Sequence, residues 1–304
     1  MNMFIGLTDY DWYTTLMSKN IDEVNFWRPS GASFAALQPN ELFLFKLKKP
    51  YYAIVGGGFF ISFSQVPIDL AWKAFGEKNG ASNYSDFASR IIRYREKNHI
   101  DAGLPYIGCI ILTQPFFFNQ SEWIHPPQEW PTNVVSGMSL DPTRGDGLRV
   151  YREVMDRLSS RRLNLETFSD GNRYTEGIVK QRIGQGAFRI LVTDAYQRRC
   201  SVSGEKTLPV LQAAHIKPFS QNGTHEINNG ILLRSDIHTL FDDGYLTITK
   251  DYTIEVSQRL HDDYGNGKDY FKYHGKKLLA MPQIKNQAPS PEYLNWHNEH
   301  VYLG

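Results

Sequence analysis

Cysteine is scarce in this sequence of 304 residues, which contains only two, Cys109 and Cys200, far apart along the chain. Such a pair cannot form the disulfide framework that stabilises small secreted domains. Cysteine usage therefore excludes a disulfide-rich extracellular module. We expect a cytoplasmic protein.

Long apolar runs are also missing. No stretch of about eighteen apolar residues is present, so no segment is predicted to span a membrane. The N-terminus lacks the basic start and the apolar core of a secretory signal. The sequence shows neither internal repeats nor low-complexity tracts, and its net charge of +1 indicates no overall preference for nucleic acid. With 13% aromatic residues, the composition favours a globular protein that is long enough for two domains.

The composition changes near residue 140. Before that point the sequence is rich in aromatic residues, and apolar segments alternate with helical patterns. Strands are predicted at 41–48, 51–63 and 107–112, and helices at 68–75 and 84–96. A turn-rich segment follows at 141–147. We predict an α+β protein with a first domain over 1–140, a helical linker over 141–174 and a second domain over 175–304.

The most informative stretch lies between residues 200 and 244, where two histidines flank an asparagine. His215 ends a predicted strand, Asn229 precedes another, and His238 lies in a predicted helix. His238 and Asp242 are four residues apart, so both side chains are expected on one face of that helix. Phosphodiester hydrolysis needs a base to activate water and a divalent cation to neutralise charge. Because histidine can act as a base near neutral pH, this pattern indicates a nuclease.

These residues resemble the HNH endonuclease family, whose fold is a ββα-metal unit. The resemblance is carried by the segments 213–216 (Ala-Ala-His-Ile) and 238–242 (His-Thr-Leu-Phe-Asp), and it extends over the predicted second domain. It implies that His215 is the general base and that Asn229 braces the loop between the two strands. It further implies that His238 binds a divalent cation, usually magnesium, with manganese as the alternative.

The sequence departs from the family pattern in two ways. Ala214 precedes the base, where many members of the family carry an aspartate or a histidine as second ligand. We predict Asp242 as that ligand, with Asp236 behind it; orientation of a histidine ring is the other role open to Asp242. The paired Cys-x-x-Cys motifs that hold zinc in related proteins are also missing, and a structural zinc site needs about four ligands. No structural zinc is therefore predicted.

Arginine is concentrated just before and inside the predicted second domain. The planar guanidinium group favours bidentate contacts with phosphate. The arginines near the nuclease core are therefore the candidates for binding DNA phosphates: Arg182, Arg189, Arg198 and Arg199. A solvated helix face with ion pairs is the alternative for the arginines before residue 161.

The first predicted domain resembles the PUA-like superfamily, in particular EVE-type readers of modified bases. The similarity rests on the segments 25–29, 39–41 and 53–58. It implies a mixed β-barrel with helices, in which a base extracted from the duplex lies between aromatic side chains. Trp27 is the first candidate for that platform. Phe59 and Phe60 are further candidates, and packing in the core is the alternative for each aromatic side chain.

Three consecutive glycines, Gly56 to Gly58, interrupt the second predicted strand. Glycines in a strand predict a bulge or the close approach of a bulky group. In a reader domain, a nucleotide is one candidate for that bulky group.

A reader domain joined to an HNH nuclease resembles the modification-dependent restriction endonucleases. The resemblance implies cleavage of DNA that carries a modified cytosine. Cutting both strands of the duplex needs a homodimer, as in many such enzymes, or two successive nicks. Three alternatives stay open. The segments 114–118 and 125–127 are compatible with recognition of phosphorothioate DNA, and a degenerate nuclease domain would only bind DNA. A thiol hydrolase based on Cys200 and His215 is the third.

Overall fold

The computed structural model describes residues 2–128, 130–131, 136–160 and 183–304. The chain divides into two compact units, Met1–Gly184 and Gln185–Gly304. Residues 161–174 of the predicted linker lie outside the described residues. Within the described part of the chain, no helix is both long and apolar enough to cross a membrane.

The first unit contains a mixed six-stranded sheet in the order β2-β5-β4-β3-β1-β6. The strands are β1 (Met3–Thr8), β2 (Glu23–Arg28), β3 (Leu42–Leu47), β4 (Ile54–Pro67), β5 (Tyr106–Phe117) and β6 (Gly137–Leu140). β1 and β3 are parallel, and the other neighbouring pairs are antiparallel. The α+β architecture and the three predicted strands are confirmed. The predicted closed barrel is wrong, because β2 and the short β6 form open edges and do not pair with each other in the described sheet.

Side chains from β3 show that both faces of this sheet are covered by buried apolar residues. Phe43 and Phe45 belong to one buried cluster, whereas Leu42 and Leu44 belong to another. Successive side chains of a strand point to opposite faces, so the two clusters lie on opposite sides of the sheet.

Four α-helices lie in the described part of the first unit. They are α1 (Tyr10–Met17), α2 (Ile68–Phe75), α3 (Tyr84–Lys97) and α4 (Gly145–Ser160). The side chain of Asn83 caps α3 by accepting a hydrogen bond from the Asp86 amide at 2.9 Å. Residues spaced four apart on α4 lie on one face of the helix and are buried in the second cluster: Val150, Val154 and Leu158. This helix therefore contributes to the core of the first unit.

Gly56 and Gly57 allow β4 to lie close to both neighbouring strands. A Cβ atom at Gly56 would lie 2.2 Å from the carbonyl oxygen of Phe116, and one at Gly57 would lie 2.6 Å from that of Phe43. The pairing of β4 shifts register beside these glycines, so the predicted bulge is confirmed. The expectation of a nucleotide at this position is wrong, because the adjacent backbones fill the space.

The second unit is organised around a two-stranded antiparallel sheet of β7 (Leu211–His215) and β8 (Gly230–Arg234). The helix α6 (Ser235–Asp242) follows β8 directly, as predicted. The remaining elements are α5 (Gln185–Ala195), β9 (Leu246–Ile248), β10 (Ile254–Val256), α7 (Arg259–Tyr264), α8 (Lys268–Phe271) and α9 (Pro291–His300).

His297 anchors α9 on α6. Its side chain is 2% exposed, and its ring stacks on Phe241 with 3.8 Å between centroids. Nε2 lies 3.0 Å from the Phe241 carbonyl oxygen and Nδ1 lies 2.8 Å from Thr247 Oγ1. A carbonyl only accepts, so Nε2 donates and Nδ1 accepts from the hydroxyl. Burial lowers the pKa of His297 to about 4, and the neutral ring is therefore the folded form at neutral pH.

We expect the second unit to lose stability as the pH falls. An unfolded histidine has a pKa of about 6.5, so below that pH the unfolded chain binds a proton that folded His297 does not take up until about pH 4. The contribution of His297 to stability therefore declines as the pH drops through this window, by about 2 kcal/mol between about pH 7.5 and pH 5. Urea denaturation at both pH values measures the loss. The variant His297→Gln should show a weaker pH dependence, and an unchanged dependence would contradict this account.

Candidate active site

His215 lies at the end of β7, opposite Gly230 at the start of β8. The space beside Gly230 is narrow, because a Cβ atom there would lie 2.4 Å from a methyl group of Val192 on α5. The close approach of α5 places Phe188 against the His215 ring, with 3.9 Å between centroids and planes only 8° apart. Phe188 is itself buried, so the orientation of the imidazole is fixed by packing on one face.

A second histidine contacts His215. Nδ1 of His225 lies 3.0 Å from Nε2 of His215, within hydrogen-bond distance. His225 belongs to the loop between β7 and β8, and its ring stacks on that of Phe219 with 4.7 Å between centroids. No role was predicted for His225, because a single histidine in an irregular loop has no periodic or spacing pattern. The only signal available was its place between His215 and Asn229.

Asn229 holds the loop between β7 and β8 in place. The side chain is fully buried. Its Oδ1 accepts from the Lys217 amide at 2.9 Å, while Nδ2 donates to the carbonyl oxygens of Lys217 at 2.9 Å and Thr224 at 2.8 Å. One amide thus satisfies backbone groups at the start and near the end of the loop that carries His225.

Replacing Asn229 with alanine should destabilise the second unit by about 2–5 kcal/mol, because three backbone groups lose their partner in a buried setting. Urea denaturation followed by tryptophan fluorescence measures the change. The neighbouring Asn228 offers a matched control, since its Oδ1 is buried and has no hydrogen-bond partner in the described part of the chain. Asn228→Ala should cost less than about 1 kcal/mol. Equal losses for the two variants would contradict the role assigned to Asn229.

His238 and Asp242 meet on one face of α6, as predicted from their spacing. Nε2 of His238 lies 3.1 Å from Oδ2 of Asp242, and Nδ1 lies 2.7 Å from Oε1 of Gln212. The amide oxygen of Gln212 only accepts, so Nδ1 carries the proton. In the neutral ring, the lone pair of Nε2 therefore faces a carboxylate oxygen. Two acceptors this close require a positive charge, either a proton on Nε2 or a cation that both groups bind.

Two other histidines and Asp242 influence the charge state of His215. The pKa of His215 is lowered to about 4, first by burial and then by the charge of His225, while Asp242 raises it and His238 lowers it. These three groups therefore lie within electrostatic range of the His215 ring. At neutral pH the ring is uncharged and able to accept a proton.

His238 and Asp242 together offer two ligands for a divalent cation. In the described ranges, no group of three or more histidine, cysteine and acidic side chains could hold a metal ion. Magnesium commonly binds one or two carboxylates and completes its shell with water and phosphate oxygens, so the pair of His238 and Asp242 fits such a cation. Asp236, the other predicted ligand, pairs with Arg234 at 2.6 Å and accepts from the Tyr270 hydroxyl at 3.1 Å.

The first unit contains a cavity of about 540 Å³. Trp27 lines it, and Nε1 of its indole donates to the Asn79 carbonyl at 2.9 Å. Phe59 and Phe60, the other predicted base-binding residues, are 6% and 5% exposed and pack in the two core clusters, away from the cavity lining. Further aromatic side chains in the lining are Phe4, Trp12, Phe26, Phe34 and Tyr94.

Positive charge predominates around this cavity. The charged residues of the lining are Asp9, Arg28, Lys48, Arg90 and Lys97. Lys48 pairs with Asp9 at 3.0 Å and donates to the hydroxyl of Tyr94 at 2.6 Å. Arg90 pairs with Asp86 at 2.8 Å. Arg28 and Lys97 still make the lining net positive, which favours an anionic ligand with an aromatic part.

The sequence model of the HNH endonuclease family matches residues 200–249. This span includes β7, β8 and α6, with His215, Asn229, His238 and Asp242. These residues form an HNH endonuclease domain. The family implies a phosphodiester hydrolase that uses a divalent metal.

The search of curated proteins found no match. Among solved structures, residues amounting to 52% of this chain align with 94% of the ASCH protein from Zymomonas mobilis, at 11% identity and a TM-score of 0.32. A variant of the same protein aligns at 12% identity with the same TM-score. The modification-dependent TagI restriction endonuclease aligns over 93% of this chain and 76% of its own, at 13% identity and a TM-score of 0.28. The chain is thus distantly similar to an ASCH protein in its N-terminal part and to TagI as a whole.

The predicted phosphate-binding arginines lie in different settings around the HNH domain. Arg189 is partly buried on α5, and Arg198 pairs with Asp194 at 3.3 Å. Arg199 is exposed, with Nε 3.4 Å from the Gly204 carbonyl oxygen. Arg182 lies outside the described residues.

Cys200 is a structural residue of the HNH domain. Its side chain is fully buried, and Sγ accepts hydrogen bonds from the amides of Arg234 at 3.2 Å and Ser203 at 3.4 Å. A thiol in this position has no access to a substrate, which argues against a thiol hydrolase.

Proposed function

We propose that this protein is a DNA endonuclease that cuts double-stranded DNA carrying a modified cytosine. A divalent cation assists, with magnesium as the first choice and manganese as the second. One observation carries the nuclease part: an uncharged, oriented His215 lies within electrostatic range of His238 and Asp242, whose Nε2 and Oδ2 atoms are 3.1 Å apart.

His215 acts as the general base in this proposal. Its imidazole takes a proton from water, and the resulting hydroxide attacks the phosphorus atom while the bond from phosphorus to O3′ breaks. The O3′ oxygen leaves with the electron pair and takes a proton from solvent, so the products carry a 5′-phosphate and a 3′-hydroxyl. Phe188 fixes the plane of the base, and Asn229 fixes the adjacent loop. Removal of the water proton by a correctly positioned histidine accelerates the reaction by about 10²–10⁴-fold.

His238 and Asp242 hold the cation. When bound, the cation neutralises charge on the phosphate and on the departing oxygen. Gln212 orients the His238 ring through Nδ1, which directs Nε2 toward the cation site. Arg189 and Arg199 are proposed to contact DNA phosphates beside this pocket.

The cavity of the first unit supports recognition of a modified base. Extraction of a base from the duplex costs a few kcal/mol, which stacking and hydrogen bonds in a pocket offset. Trp27 and Tyr94 supply aromatic surface, and the positive lining suits the phosphates that flank an extracted nucleotide. The segments considered for phosphorothioate recognition give less support, because Phe116 and Phe118 are core residues and do not line the cavity.

A single HNH pocket cuts one strand. Cleavage of both strands therefore requires two copies of the chain or two successive cuts, and we propose a homodimer. The proposed compartment is the cytoplasm, where Cys109 and Cys200, which form no disulfide, stay reduced.

Cleavage of four matched duplexes tests this function. The duplexes share one sequence and contain plain cytosine, 5-methylcytosine, 5-hydroxymethylcytosine or phosphorothioate linkages. We expect at least about tenfold faster cutting of one modified-cytosine duplex, equivalent to about 1.4 kcal/mol of discrimination. Equal cutting of all four contradicts modification dependence, and preference for phosphorothioate favours that alternative. Binding without cutting favours a degenerate nuclease domain.

Trp27→Ala should remove the preference between plain and modified duplexes, because it deletes aromatic surface from the cavity. The matched control is Trp72→Ala on α2, since Trp72 packs on Phe87 and is not part of the cavity lining. The ratio of cleavage rates on the two duplexes is the readout, which normalises for loss of folded protein. A preference that survives Trp27→Ala would place recognition elsewhere.

A further inference from the structure

We propose that His225 is a positioning residue that holds His215 in the one tautomer able to act as a base, so that His215 works through Nδ1. This inference rests on the proposed nuclease function. Its starting observation is the distance of 3.0 Å between Nε2 of His215 and Nδ1 of His225.

Four rings fix this contact. Phe188 stacks on His215 at 3.9 Å and 8°, and Phe219 stacks on His225 at 4.7 Å and 5°. The two imidazoles lie between these phenyl rings, with 5.1 Å between their centroids. Asn229 fixes the loop by bonding to the Thr224 carbonyl, one residue before His225. Each imidazole is thus held by a stacked phenyl ring on one side and by its contact with the other histidine on the other side.

The position of one proton then decides the chemistry. Two neutral imidazole nitrogens at hydrogen-bond distance share a single proton, which belongs either to His215 or to His225. If His225 donates from Nδ1, the proton of neutral His215 must lie on its own Nδ1, and no basic nitrogen is left to meet water. If His215 donates from Nε2, its Nδ1 carries a lone pair directed away from His225. Only this second arrangement gives a competent base.

The same contact stabilises the product of proton transfer. When Nδ1 of His215 accepts a proton from water, an O–H bond breaks, an N–H bond forms, and the His215 ring becomes positively charged. The Nε2 proton of that ring then forms a charge-assisted hydrogen bond to the Nδ1 lone pair of His225. His225 thus acts on His215 as the orienting group of a catalytic triad acts on its histidine. Because His225 is an imidazole and not a carboxylate, it adds no negative charge that would compete with Asp242 for the cation.

Nitrogen-15 NMR of histidine-labelled protein tests the tautomer directly, with neither DNA nor metal present. Near neutral pH we expect His215 to carry its proton on Nε2. The hydrogen bond to His225 should appear as a scalar coupling between the two rings or as an Nε2 proton that is protected from exchange with water. Assignment follows from loss of the signal in His215→Ala. A proton on Nδ1 of His215 would overturn the proposal.

Two substitutions test the consequence for catalysis. His225→Asn places Oδ1 near the position of Nδ1 and retains an acceptor, whereas His225→Phe retains the ring and removes the acceptor. We expect His225→Phe to lower the single-turnover cleavage rate by about 10–100-fold with little change in the DNA concentration at half-maximal rate. His225→Asn should recover most of that loss.

His261→Phe is the matched control, because His261 is an exposed histidine paired only with Asp262 among its charged neighbours in the described residues. It should cleave like the unmodified protein. Normal cleavage by His225→Phe, or equal defects in the Phe and Asn variants, would overturn the proposal. Failure of the unmodified protein to cut DNA would instead reject the proposed function, and the tautomer measurement would still decide how His225 and His215 share the proton.

Discussion

His215→Ala is expected to lower the rate of DNA cleavage by about two to four orders of magnitude, while leaving DNA affinity nearly unchanged. In the proposed mechanism the imidazole is an uncharged, half-buried base, with its pKa lowered to about 4 by burial first and by His225 second. Its removal deletes proton transfer from water. DNA binding depends on other groups, mainly cationic side chains that contact phosphate.

Single-turnover cleavage and fluorescence anisotropy measure the two effects on the same labelled duplex. Cys200→Ser is the control, since a buried serine hydroxyl still accepts from the amides that now bond to Sγ. It should cut DNA at close to the normal rate. If His215→Ala cut DNA normally, or if Cys200→Ser lost cleavage while remaining folded, His215 would not be the base.

His238→Ala should lower the cleavage rate by about 10³-fold, because the cation loses one of its two protein ligands and with it several kcal/mol of transition-state stabilisation. Gln212→Ala removes only the acceptor that orients the His238 ring through Nδ1. That change should cost about 10–100-fold. A larger loss of rate in His238→Ala than in Gln212→Ala would distinguish His238 as the metal ligand from Gln212 as the group that orients it.

Cleavage rates measured across a range of magnesium and manganese concentrations provide the readout. Both variants should need more metal for half-maximal rate, with the larger shift in His238→Ala, and Mn²⁺ binding followed by electron paramagnetic resonance should weaken in parallel. An unchanged metal dependence in His238→Ala would show that the cation binds elsewhere.

Local sequence signals were sufficient to predict the two strands and the helix that carry the candidate HNH residues. Short apolar segments bounded by turn residues predicted β7 and β8, and the spacing of His238 and Asp242 placed both on one helix face. The role of Asn229 as a brace of the loop followed from family resemblance, and three side-chain hydrogen bonds now support it. Each of these features depends on residues that are close in sequence.

Features that depend on distant contacts were not predictable in the same way. His225 reaches His215 because Asn229 and Phe219 shape the loop, which no local pattern encodes. Closure of a barrel depends on whether edge strands meet, and the sequence of β2 does not specify that. Phe59 and Phe60 point to opposite faces of β4, and both faces are covered. Aromatic content alone therefore could not distinguish core residues from cavity residues.

Analysis of the ends produced from a modified duplex by the full chain in Mg²⁺ tests the central claim most directly. Attack by water on phosphorus with O3′ as leaving group predicts 5′-phosphate and 3′-hydroxyl ends that DNA ligase rejoins, and chelation of the metal with EDTA should abolish the reaction. Intact DNA under all metal conditions, or EDTA-resistant products that end in 3′-phosphate, would contradict a metal-assisted HNH nuclease with His215 as its base.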